Sequence, residues 1–134
     1  MDALTLLCID DRPQLLELRK ALLESQGYRV KMALSGHTAM KMLQEAPVAA
    51  VLLEYKTEGM DAEAVASHVK LRFPSIPIIL LSAHACMPER ILWLVDEYVM
   101  RSELSERLIP AIERTISRPQ TDEIRKPASR GNAA

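Results

Sequence analysis

A chain of 134 residues, 49% of them hydrophobic, suits one domain with a real core. Its 17 basic and 18 acidic side chains give a net charge of −1, which leaves no footprint for nucleic acid or an anionic membrane surface. The two cysteines, Cys8 and Cys86, lie far apart in a chain that opens without an export signal and has no apolar run of membrane-spanning length; together these point to a reducing, cytoplasmic setting.

In chain order, Leu4 to Ile9 is an apolar run ending on Asp10-Asp11 and reads as a first strand. Pro13 fits the first position of a helix, where its missing N–H costs nothing. Leu15, Leu16, Leu18, Leu22 and Leu23 supply that helix with an apolar face, and Gly27 stops it. Tyr28 to Ala33 alternates as a half-covered strand. Ser35 is an N-cap for a second helix carrying Ala39, Met40 and Leu43, which Pro47 ends. Residues 49–54 form an uninterrupted apolar strand that terminates on the carboxylate of Glu54. Asp61 caps a third helix, with Val65, Ala66, Val69 and Phe73 on its buried stripe.

Pro77 to Leu81 is a fourth strand, reaching Ser82. A short helical segment, Pro88 to Val95, and a fifth strand, Tyr98 to Met100, lead to Arg101. Ser102 is placed to cap a last helix striped by Leu104, Leu108, Ile109, Ile112 and Ile116, with a kink or a late start expected at Pro110. From Pro119 the chain turns polar and is expected to be a disordered tail, 119–134, after a domain of residues 1–118.

Five repeats of strand and helix imply an α/β fold, a doubly wound five-stranded parallel sheet in the order 2-1-3-4-5 with helices on both faces. That order sets the first and third strands side by side, so Asp10, Asp11 and Glu54 meet at the switch point, where such sheets place their chemistry. Three clustered carboxylates need protons or cations among them. Arg101 is one available cation. Mg²⁺ is the other, held by carboxylates, a backbone carbonyl and waters. An aspartyl phosphatase would want Asp-x-Asp, and Arg12 stands at the third position. A flavin phosphate loop would want glycines and hydroxyls after the first strand, and a P-loop is absent.

These pieces together resemble the receiver (CheY-like) domain of bacterial two-component response regulators. The resemblance covers about residues 4–117. It rests on Ile9-Asp10-Asp11, on Val51-Leu52-Leu53-Glu54-Tyr55 with Gly59-Met60-Asp61, on Leu81-Ser82-Ala83, and on Val95-Asp96-Glu97-Tyr98-Val99-Met100-Arg101, in that order. It implies the flavodoxin-like three-layer αβα fold. Asp10 and Asp11 become the acid pair, Ser82 the switch hydroxyl and Tyr98 the switch aromatic. Metal ligation would fall to Asp11, Glu54 and the Lys56 carbonyl, with Asp10 acting through water. The family's partners are a histidine kinase and a downstream signalling protein, reached through the face of helix four, strand five and helix five, as a monomer or a weak homodimer.

Two site positions depart from the family pattern. The phosphoacceptor position holds Glu54 rather than aspartate, and the phosphate-binding lysine position holds Arg101. The loop also has Glu58 where proline is common and Ala62 where glycine is common, and the segment from Ser82 to Arg101 is short, so a reduced fourth helix is expected. Glutamate carries its carboxylate roughly 1.5 Å further out, and a misplacement of about 1 Å can lose about two orders of magnitude in transfer rate. Arginine grips a carboxylate where lysine offers a point charge. A permanent Glu54–Arg101 contact is therefore expected, in a stand-alone, phosphorylation-independent module that is not an enzyme and binds Mg²⁺ weakly. The alternative is a working phosphoacceptor receiver that binds Mg²⁺ and is phosphorylated by a histidine kinase.

Overall fold

The computed structural model describes residues 3–117 and 127–128. Its strands are β1 Thr5–Ile9, β2 Arg29–Ala33, β3 Ala50–Glu54, β4 Ile78–Ser82 and β5 Glu97–Met100. Its helices are α1 Pro13–Ser25, α2 Gly36–Glu45, α3 Ala62–Arg72, α4 Glu89–Leu92 and α5 Leu104–Ser117. All strand pairs are parallel, in the order β2-β1-β3-β4-β5. The expected fold class, sheet order and alternation of elements are those observed.

The pleat sorts the core into two layers, because successive strand side chains point to opposite faces. Leu6, Cys8, Ala50, Leu52, Ile79, Leu81 and Val99 pack under α1 and α5. Leu7, Ile9, Val51, Leu53, Ile78, Leu80 and Tyr98 pack under α2, α3 and α4. With β3 and β4 buried along their whole length, both faces of the sheet centre are dry, as a helix-covered parallel sheet requires.

The helix ends follow local chemistry. Ser35 Oγ accepts the Thr38 N–H and Asp61 Oδ1 accepts the Ala64 N–H, each satisfying a donor that the first turn leaves open. Gly27 adopts φ +94°, and the N–H groups of Gly27 and Tyr28 fold back onto the Glu24 and Leu23 carbonyls, so the expected glycine stop is in place. Ser102 instead falls inside a single 3-10 turn, Arg101–Glu103, that feeds α5. No late start occurs at Pro110, and α5 runs through it. Pro110 and Glu106 are both exposed, so the carbonyl that loses its donor faces water.

Two further differences bear on function. Leu18 was expected on the buried face of α1 and is 69% exposed; the core-facing residues are Leu16, Arg19 and Leu23. The helix is rotated so that an arginine, not a leucine, faces the sheet. The fourth helix is reduced to four residues, as its short segment implies, and Trp93 at its end is 44% exposed. Of the segment expected as a tail, only Pro127 and Ala128 are among the described residues. Ala128 is buried, and its N–H donates to the Leu92 carbonyl at 2.7 Å.

Candidate functional site

The site forms at the carboxyl ends of β1, β3 and β5. The register that pairs Ile9 with Leu53 brings Asp10 beside Glu54. Pleat parity sends both side chains to the α1/α5 face, in phase with Leu6 and Cys8 and with Ala50 and Leu52. Arg101, two residues beyond Val99, is in phase with the same face. From below comes Arg19. Helical side chains lean toward the helix N-terminus, so Arg19, two turns into α1, reaches back to the acids that precede the helix.

Asp10 and Glu54 are fully buried and Arg19 is 5% exposed. Asp10 Oδ1 accepts the Arg12 backbone N–H and Arg12 Nε, both at 3.1 Å, while Oδ2 accepts Arg12 Nη2 at 3.3 Å and lies 3.6 Å from Arg19 Nη1. Glu54 Oε1 pairs with Arg12 Nη2 at 3.1 Å and accepts a hydrogen bond from Arg101 Nη2. Glu54 Oε2 lies 4.0 Å from Arg19 Nη2. Glu54 Oε2 and Arg19 Nε and Nη1 are buried and hydrogen-bond to nothing among the described residues, so Arg19 holds the acids by charge. Asp11 turns away, and its Oδ2 accepts the N–H groups of Glu58 and Gly59, both at 2.9 Å. Two buried carboxylates, Asp10 and Glu54, thus face three guanidinium groups.

Burial depresses the Arg101 pKa below its ordinary value, and the nearby Arg12 and Arg19 charges add to this while Asp10 opposes it. The Cys8 thiol, under the same face, is pushed up to about 12 by burial, against the pull of Arg19.

The expected residues fall into two groups. Asp10, Glu54 and Arg101 come together, and the anticipated Glu54–Arg101 contact is present. Ser82 and Tyr98 share the other pleat parity, toward α2, α3 and α4. Ser82 Oγ accepts the His84 N–H at 3.0 Å, and Tyr98 is buried in that layer of the core. Lys56 is exposed and, with Asp11, Arg12, Thr57 and Glu58, lines an open hollow of about 460 Å³ above the acids. His37, His68 and His84 are all exposed. Arg12 and Arg19 were not anticipated as site residues. The signal for Arg19 was its spacing, since Leu16, Arg19 and Leu23 recur at i, i+3 and i+7.

Magnesium asks for oxygens free to converge on one point at roughly 2.0–2.1 Å. These carboxylates do not fit that demand as arranged. Asp10 and Glu54 are turned into guanidinium groups and Asp11 into backbone donors. Among the described residues, no group of three or more His, Cys, Asp or Glu is placed to hold a metal ion. Nor is any described helix long and apolar enough to cross a membrane.

Comparison with known proteins gives the same frame. The family model described as "Response regulator receiver domain" matches residues 6–108. A putative response regulator NtrX-like protein of Rickettsia bellii is 33% identical over 86 residues, covering 63% of this chain and 18% of that protein. The transcriptional regulatory protein GlrR of Escherichia coli is 30% identical over 123 residues, covering 88% of this chain and 28% of that protein. The chain therefore spans less than a third of the length of either relative. Among solved structures, response regulator TrrA of Thermotoga maritima in complex with Mg²⁺-BeF superposes with TM-score 0.77 at 28% identity, covering 86% of this chain and 99% of that one. TrrA bound to the histidine kinase ThkA gives TM-score 0.77 at 28% identity, covering 87% and 100%.

Proposed function

The chain belongs to the response regulator receiver domain family, a signalling module of two-component systems, and from that membership we propose that it signals through protein–protein contacts without accepting a phosphoryl group. One observation carries this reading. The residue at the phosphoacceptor position, Glu54, is fully buried and its carboxylate is held by Arg12, Arg19 and Arg101. A nucleophile must be free to approach phosphorus in line, and catalysis of phosphoryl transfer is mostly positioning. A glutamate clamped by guanidinium groups has neither the freedom nor the placement that an aspartate would have at this position.

In this reading the Glu54–Arg101 pair stands in for the attraction that a phosphoryl group would exert on the end of β5, and so fixes one arrangement of the β4–α4–β5–α5 face. Tyr98 buried in the core is consistent with a single packed arrangement there. The partner is a histidine kinase or a downstream signalling protein in the cytoplasm. It docks on the α4/β5/α5 face, where the half-exposed Trp93 offers an aromatic anchor, and the same face would serve a weak homodimer.

Incubation with a small phosphodonor and Mg²⁺, followed by intact-mass measurement, tests the proposal. No phosphoryl adduct is expected on the parent. A conventional receiver domain run alongside shows that the donor is active, and an unlabelled parent beside that labelled control supports the reading. A labelled parent overturns it and establishes the working phosphoacceptor instead.

A further inference from the structure

We infer that the arginine cluster takes the place of a divalent cation in this pocket, with Arg19 as its resident counter-charge, and that the folded protein is indifferent to Mg²⁺. Asp10 and Glu54 lie buried beside each other, and two adjacent buried carboxylates repel strongly unless positive charge is brought in. A bound ion is one solution. Here the positive charge is covalently part of the chain. Arg12 bridges Asp10 and Glu54, touching Oδ1, Oδ2 and Oε1. Arg19 lies beneath the same two acids, 3.6 Å from Asp10 Oδ2 and 4.0 Å from Glu54 Oε2. Arg101 closes on Glu54 from β5.

A cation entering among these oxygens would have to displace Arg12 and would still stand beside Arg19 and Arg101, so like charges oppose it from two sides. Arg19 is the residue that makes this permanent. Arg12 and Arg101 are partly exposed and can swing toward solvent. Arg19 is 5% exposed, carried on the core face of α1 between Leu16 and Leu23, and has no aqueous exit. Asp11 cannot complete a site alone, because its Oδ2 closes the 58–59 loop by accepting two backbone N–H groups.

The inference rests on the receiver reading of the pocket but not on the chemistry of Glu54. Its test uses no phosphodonor, so a protein that is labelled yet metal-indifferent, or inert yet metal-binding, tells the two proposals apart. The melting temperature of the whole chain is measured in excess EDTA and in excess Mg²⁺ for the parent, for Arg12→Ala/Arg19→Leu and for Arg12→Ala/Arg19→Lys. The parent is expected to melt within about 1 °C in the two solutions, whereas the Leu variant, stripped of two positive charges, gains a Mg²⁺-dependent rise of roughly 4 °C or more. The Lys variant keeps the buried charge and shows little rise. A parent stabilised by Mg²⁺ by several degrees overturns the inference, and so does a folded Leu variant that ignores the ion. If the Leu variant does not fold, the parent and Arg12→Ala alone decide: with Arg19 still in place beneath the acids both are expected to stay flat, and a Mg²⁺-dependent rise of several degrees in either overturns the inference.

Discussion

Arg101 donates through Nη2 to Oε1 of Glu54, so the end of β5 is tied to the end of β3 across the intervening β4. The tie unites Glu54 and Arg101, the two site positions at which the sequence is expected to depart from the receiver pattern. Each departure makes sense only with the other: the longer acid reaches outward, and the forked cation meets it with the geometry that lysine lacks.

Removing that tie will destabilise the protein by a moderate amount, because Glu54 retains Arg12 and Arg19. Arg101→Ala is expected to lower the unfolding free energy by roughly 1–3 kcal/mol, and Arg101→Lys by less. Urea denaturation reads this as a lower midpoint at unchanged slope. An Arg101→Ala midpoint equal to the parent's would mean that the pair contributes nothing.

Arg19 will matter more. Arg19→Ala leaves two buried carboxylates short of a counter-charge and opens a cavity under the sheet, so a loss of roughly 3–5 kcal/mol is expected in the same titration. Leu18→Ala, one residue away on the exposed side, should stay within about 0.5 kcal/mol. Equal losses at the two positions would show that α1 faces the sheet differently.

These two residues also mark where the sequence was readable and where it was not. The sheet order, the switch point and the meeting of Asp10, Glu54 and Arg101 followed from apolar runs that each end on a polar residue. Arg19 was hidden because five leucines crowd α1. They support more than one helical face, and the correct face contains a charged residue that hydrophobic patterning discards. The burial of an arginine becomes intelligible only once the acids it serves are placed by the sheet, a contact of long range in the chain. At Pro110 a kink or a late start is expected, and the helix does not start late: it begins at Leu104 and runs through the proline on its exposed side.

The cysteines will behave oppositely. Cys86 is exposed and Cys8 fully buried, so one equivalent of a maleimide is expected to add to the native protein, and a second only in denaturant. Cys8 also gives a pH dependence. Its folded pKa, pushed up to about 12, lies above its ordinary value of 9.0, so the native state holds a proton that the unfolded state releases. The stability contributed by protonated Cys8 is complete below about pH 9 and is lost as pH climbs toward about 12. Cys8→Ala should flatten that part of the stability–pH curve, and an unchanged curve would contradict the assignment.

Helix-end chemistry offers a local check. Asp61→Ala removes the oxygen that accepts the Ala64 N–H and should cost about 1 kcal/mol. Gly27→Ala, at φ +94°, should cost about 1 kcal/mol through backbone strain. Circular dichroism melts of the two variants measure both, and no loss at Gly27→Ala would mean that the α1 terminus does not use the left-handed conformation.

The central claim is that the pocket is already occupied by the protein's own charges, so that a phosphoryl signal has nothing to rearrange. Amide ¹H–¹⁵N spectra of the uniformly labelled protein, recorded before and after adding Mg²⁺ and a small phosphodonor, test it most directly. The account predicts superimposable resonances for residues 82–101; displaced signals through β4, α4 and β5 would contradict it.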